Sequence, residues 1–206
     1  MRYVYLHGFA SSPRSKKAQY FHRCFAELGL DLEIPALDDQ GFENLTVTGQ
    51  LAVVERLLNG EPAVLMGSSM GGYLAALYAA RHEETHSVIL MAPAFGFARN
   101  WGPALDKWKQ EGSLEVFHYA ENRPARVGYG LIEDALQFPD EPQFTCPAMI
   151  FHGIRDTVVP AEASMRFCAR NMNARLQLFD SGHELTDVME EIWLVCRQHH
   201  PELRSA

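Results

Sequence analysis

Three stretches of this chain carry side chains that could act together on a carbonyl carbon. Residues 67 to 71 read Gly-Ser-Ser-Met-Gly, a GxSxG pattern in which small residues flank Ser69 because a tight turn brings neighbouring backbone too close for side chains. A serine hydroxyl is barely ionised at neutral pH, so a base must take its proton and a third group must orient that base. His183, in Asp180-Ser181-Gly182-His183, and Asp156, in His152-Gly153-Ile154-Arg155-Asp156, are the residues of the right types. The order along the chain is then Ser, Asp, His.

Other residues compete for each role. Ser68 shares the motif but occupies its variable place. The chain has nine histidines; His7 and His152 each precede a glycine after a strand, where buttressing a loop is the simpler reading. His199 and His200 sit near the C-terminus on a helix end, and His22, His82, His86 and His118 fall in helices or in an irregular segment. Asp180 and Asp187 stand as alternatives to Asp156, each readable as a cap or a surface charge.

Such residues need a scaffold, and the pattern around them supplies one. Ala63-Val64-Leu65-Met66 is an apolar strand entered by Pro62, and Tyr73 to Ala80 has no helix breaker, so Ser69 stands between strand and helix. The start of that helix leaves unpaired N–H groups and partial positive charge, which lets the Met70 amide face an oxyanion forming beside Ser69. Upstream, a strand from Tyr3 to Leu6 leads into His7-Gly8. A helix then follows with Ser12 as N-cap, Pro13 at its first position and Gly29 past its end. Leu32 to Ile34 reads as a short strand, Asp38 to Glu43 as loop, and Val47, Leu51, Val54 and Leu58 as an amphipathic helix. Ser87 to Met91 is a strand buried on both faces.

Alternation resumes at Ala148–Phe151 (strand), Pro160 to Met172 (helix), Leu176–Phe179 (strand) and Glu184 to His199 (helix). This alternation predicts an α/β fold, a mainly parallel sheet with helices on both faces. Its ligand site belongs at the carboxyl ends of the strands. Residues 96–145 are less regular; a hairpin from about Leu114 to Leu131, turning at Asn122-Arg123-Pro124, and a short helix near 132 to 138 are expected there. That insertion reads as a small lid on a single domain spanning 1–206.

The chain resembles the compact α/β-hydrolase-fold proteins, and its first block, HGFASSPRSKKA, is similar to a branch of small bacterial esterases. The likeness covers most of residues 1 to 95 and 146 to 190 and fades across 96 to 145. It implies Ser69 as nucleophile, His183 as general base and then acid, and Asp156 as its partner. The His7-Gly8 motif implies that the Phe9 amide joins that of Met70 in an oxyanion hole. The implied activity is hydrolysis of carboxylic esters through an acyl-enzyme. A thioesterase, amidase or small peptidase would use the same groups, and a non-catalytic binding protein of this fold is the reading from another class. Phe95, Phe97, Trp101 and Trp108 are the expected apolar wall of a shallow pocket suited to short and medium acyl chains.

Composition narrows the field. Lys and Arg number 18 against 26 Asp and Glu, for a net charge of −8, which makes nucleic acid and anionic membranes poor partners. The partner expected is a small ester, with no cofactor and no metal. No HExxH or paired-carboxylate spacing occurs, and GSSMGGY lacks the lysine of a P-loop. The longest apolar stretch, Val88 to Ala98, is too short for a bilayer and contains Pro93. Cys24, Cys146, Cys168 and Cys196 are widely spaced and read as reduced thiols of a cytoplasmic protein. The first residues read as strand and turn and not as a signal peptide.

Overall fold

In the computed structural model, which describes residues 1–200 and Leu203, six parallel strands form one twisted sheet. They are β1 (Arg2–Leu6), β2 (Leu32–Glu33), β3 (Ala63–Ser68), β4 (Thr85–Met91), β7 (Ala148–Gly153) and β8 (Ala174–Phe179), in the spatial order β2-β1-β3-β4-β7-β8. A separate antiparallel hairpin pairs β5 (Ser113–His118) with β6 (Arg123–Gly128).

Period-two alternation explains why both faces are covered, since neighbouring side chains on a strand point to opposite sides. Val4 and Leu6, Leu65, Val88 and Leu90, and Ile150 belong to one core. It also holds α2 (Val47–Leu58), α3 (Met70–Ala79), α5 (Gly130–Ala135) and Phe167 of α6 (Glu162–Arg170). Tyr3 and Tyr5, Val64 and Met66, Ile89 and Met91, and Met149 and Phe151 point the other way, toward α1 (Lys16–Glu27) and α7 (Met189–His199). The α/β architecture expected from the sequence is therefore present.

The register aligns the strand ends. Leu6 lies beside Gly67, Ser68 beside Met91, Met91 beside Phe151 and Gly153 beside Phe179. The chain leaves β1 toward β2 on one side and returns to β3 on the other, so the sheet has its switch point between β1 and β3. A crevice opens at their carboxyl ends.

Several boundaries differ from expectation. Helix α1 starts at Lys16 with Ser15, not Ser12, as its N-cap, the Ser15 Oγ accepting from the Ala18 amide. Ser12 and Pro13 instead form a turn closed by a bond from the Ser15 amide to the Ser12 carbonyl. Helix α7 begins at Met189 rather than near 184, because Leu185 adopts φ +52°, which no right-handed helix accommodates. The hairpin and α5 lie close to where they were expected. Before them stands an additional helix, α4 (Ala104–Glu111), which ends at Gly112 in the left-handed region.

Candidate active site

Ser69 sits at the tip of the turn between β3 and α3, with φ +54° and ψ −118°. This is a costly conformation for a residue with a Cβ. The surrounding glycines are there because backbone meets backbone: a Cβ on Gly67 would lie 2.3 Å from the Gly71 carbonyl oxygen, and one on Gly71 would lie 2.0 Å from that of Leu6. The turn is held from both sides, its Ser69 amide donating to the Met91 carbonyl at 2.8 Å and its carbonyl accepting from Ala94 at 3.0 Å.

The loops after β7 and β8 bring the other two side chains to it. His183 Nε2 lies 3.0 Å from Ser69 Oγ, and its Nδ1 lies 2.7 Å from Asp156 Oδ2. A carboxylate only accepts, so Nδ1 carries the hydrogen and the Nε2 lone pair faces the serine hydroxyl. Asp156 is buried. Burial alone would raise its pKa, but hydrogen bonds from His152, His183 and the Val159 amide outweigh it and hold the carboxyl well below the usual carboxylate range. Its Oδ1 accepts from the amides of Val158 and Val159, each at 2.8 Å.

The rival residues lie elsewhere. Asp180 is exposed and pairs with Arg155, and Asp187 accepts from Ser181 Oγ. His152 is a buttress, with Nε2 2.8 Å from the Val159 carbonyl and Nδ1 2.8 Å from Ser164 Oγ. His7 Nδ1 donates to the Gly8 carbonyl at 3.0 Å and stiffens the loop after β1. That loop runs against the elbow: a Cβ on Gly8 would be 3.3 Å from the Ser68 oxygen and 3.4 Å from Ser69 Cβ. Phe9 follows it on the wall beside Ser69, and Met70 occupies the first position of α3.

A cleft of about 780 Å³ opens over Ser69 and His183. Phe97 and Trp101 line it, but Phe95 and Trp108 do not, and this corrects the expected wall. Phe95 faces the core, stacked on Phe167 at 4.6 Å. Trp108 is completely buried, its Nε1 donating to the Val127 carbonyl at 3.1 Å and its ring edge-on to Trp101 at 4.9 Å. Sequence reasoning missed Val116, Phe117 and Tyr119 of the hairpin, Val158 and Val159, and Lys17 of α1, all of which line the cleft. Alternation along β5 could have pointed to Val116, and the helical spacing of Lys17 to Phe21, Cys24 and Phe25 could have pointed to Lys17.

Sheet order, elbow and the Ser69–His183–Asp156 chain define an α/β-hydrolase-fold protein. Within that superfamily the chain belongs to the Uncharacterised protein family (UPF0227), whose model matches residues 2–198. It is 24% identical to the AB hydrolase superfamily protein YisY of Bacillus subtilis (strain 168), over 87% of this chain and 84% of that protein. It is also 24% identical to the mitochondrial palmitoyl-protein thioesterase ABHD10 of Bos taurus, over 89% of this chain and 67% of the relative. Among solved structures, Est1E from Butyrivibrio proteoclasticus with bound ferulic acid superposes with a TM-score of 0.84 at 20% identity. The match covers 97% of this chain and 88% of that one. No helix among the described residues is long and apolar enough to cross a membrane.

Proposed function

We propose that this protein is a serine hydrolase that cleaves carboxylic esters of short to medium acyl chains through an acyl-enzyme. The observation that carries the reading is the hydrogen-bonded chain in which His183 stands 3.0 Å from Ser69 Oγ and 2.7 Å from Asp156. Ser69 attacks the ester carbonyl as His183 Nε2 takes its proton, and the Phe9 and Met70 amides receive the oxyanion. His183 then protonates the leaving alcohol and later removes a proton from the water that releases the acid. Asp156 keeps the imidazole in the required tautomer and offsets its charge. The hairpin and α4 act as a small roof over the cleft, with Phe97, Trp101 and Val116 supplying apolar surface.

Hydrolysis of thioesters is the second reading, favoured by the likeness to a relative named as a palmitoyl-protein thioesterase. Labelling with a fluorophosphonate probe, in wild type and in Ser69→Ala, tests the nucleophile. Turnover of p-nitrophenyl esters from acetate to palmitate, beside matched thioesters, then tests the substrate class. Labelling that survives Ser69→Ala would refute the assignment, and highest efficiency on palmitate would refute the chain-length preference.

A further inference from the structure

Lys17 lies on the face of α1 that packs against the sheet, next to Ala18 and one turn before Phe21, and is 8% exposed. Its Nζ donates to Ser68 Oγ, the residue before Ser69, at 2.7 Å, and the side chain forms part of the cleft wall with Tyr5, Ser68, Ser69, His183 and Glu184. One of the ammonium's three hydrogens is thereby used. Of the acidic groups whose fields reach it, Glu184 is exposed at the cleft edge and Asp156 is engaged by His183. Neither forms an ion pair with Lys17. Burial pushes the ammonium down to about 8, with Glu184 and Asp156 opposing the fall, so the charged form still prevails at neutral pH.

Buried ammonium groups are ordinarily paired, because removal from water without a partner is costly. A residue needed only for packing at this position would be apolar, like Ala18, Phe21 and Phe25 beside it. The cleft also reverses the charge of the molecule: Arg14, Lys16 and Lys17 line it against a single carboxylate, Glu184, in a chain of net charge −8. Low-dielectric walls focus such a field on an entering ligand.

We infer that the substrate carries a carboxylate that Lys17 receives beside the nucleophile, making Lys17 a specificity-determining residue for anionic esters. This rests on the ester-hydrolase reading above. The carboxylate can belong to the acyl half or to the alcohol half of the ester.

Two pairs of esters separate these sources. The p-nitrophenyl half-ester of glutaric acid is compared with p-nitrophenyl valerate, and 4-carboxyphenyl butyrate with phenyl butyrate. The ratio of kcat/KM, charged over neutral, should exceed one in one pair and fall roughly 10- to 100-fold in K17M, the range expected for a hydrogen bond to a charged group. K17R should retain most of the preference. Should K17M fail to fold by thermal unfolding, K17Q replaces it. Absence of preference in both pairs, or a preference unchanged on removal of the charge, overturns the inference and leaves Lys17 as a brace for Ser68. If no ester is turned over, calorimetric binding of glutarate to wild type and K17M decides separately: binding weakened in K17M supports the anion site while the hydrolase reading falls. Binding that is equal, or absent from both, ends the anion site too.

Discussion

His152 Nε2 stands 3.2 Å from Asp156 Oδ2, the same oxygen that receives the Nδ1 hydrogen of His183. The carboxylate is thus fixed by one imidazole inside the protein and presents its remaining capacity to the other. With Oδ1 engaged by two backbone amides, Asp156 has no freedom to turn away from His183.

Asp156→Asn places an amide where an acceptor is required and favours the imidazole tautomer that cannot take the Ser69 proton. Ester turnover should fall by several orders of magnitude. Its effect on stability depends on pH with a defined sign. The folded-state carboxyl is held low, so the wild type gains stability above the unfolded value of about 3.9 and loses it as pH falls toward the folded one. Thermal unfolding should show the variant least stable relative to wild type above about pH 5, with the gap closing below pH 4. A gap independent of pH would contradict the hydrogen-bond account.

Ser69→Ala should abolish turnover and keep the backbone strain, since alanine has the same Cβ. Ser69→Gly should abolish turnover too, yet be the more stable of the two by about 1 kcal/mol, because glycine takes positive φ without that cost. For a chain of this length the difference corresponds to roughly 2–4 °C in Tm. Equal melting of the two variants would show that the elbow is not strained.

Two glycines should behave oppositely. Gly71→Ala drives a Cβ to 2.0 Å from the Leu6 carbonyl oxygen, a backbone atom fixed in the sheet, and should cost more than 4 kcal/mol or prevent folding. Gly130→Ala, at the first position of α5 with open space around it, should be neutral or stabilising by up to about 1 kcal/mol. Chemical denaturation measures both.

The two tryptophans of the insertion should separate in the same way. Trp108→Ala empties a fully buried site and should cost about 3–5 kcal/mol. Trp101→Ala, on the cleft wall, should cost less and flatten the dependence of kcat/KM on acyl-chain length. If Trp101→Ala left that dependence unchanged, its ring would be packing only.

Much of this arrangement was legible in the sequence because backbone crowding leaves marks in residue type. The glycines at 67 and 71 and the small residues around Ser69 announce a turn in which Cβ atoms do not fit, and the β-branched run at Ser87 to Met91 announces a strand covered on both sides. The sidedness of the insertion was not legible. Phe95, Phe97, Trp101 and Trp108 are alike in hydrophobicity, and only tertiary contacts separate them: Trp108 is buried with its Nε1 bonded to the Val127 carbonyl, while Trp101, edge-on to it, lines the cleft. Helix α4 itself is short and polar, with Trp108 its only buried residue, so its periodicity is weak. Lys17 was hidden for a different reason: in the run Arg14-Ser15-Lys16-Lys17 every cation looks solvated, and its charge masks a spacing of four from Phe21 and eight from Phe25 that places it on the buried face of α1.

The position of β8 at the edge of the sheet has a further consequence. Ser69 rises from β3, which has neighbours on both sides, whereas His183 rides on the loop after a strand that, among the described residues, pairs only with β7. Residues along β8 are half-exposed or exposed, so this edge has little buried surface to resist local opening. The two ends of one hydrogen bond thus belong to regions of unequal durability. Under mild heat or denaturant His183 should therefore leave first while Ser69 stays in its turn, so that any turnover is lost at a lower temperature than the far-UV signal of the sheet.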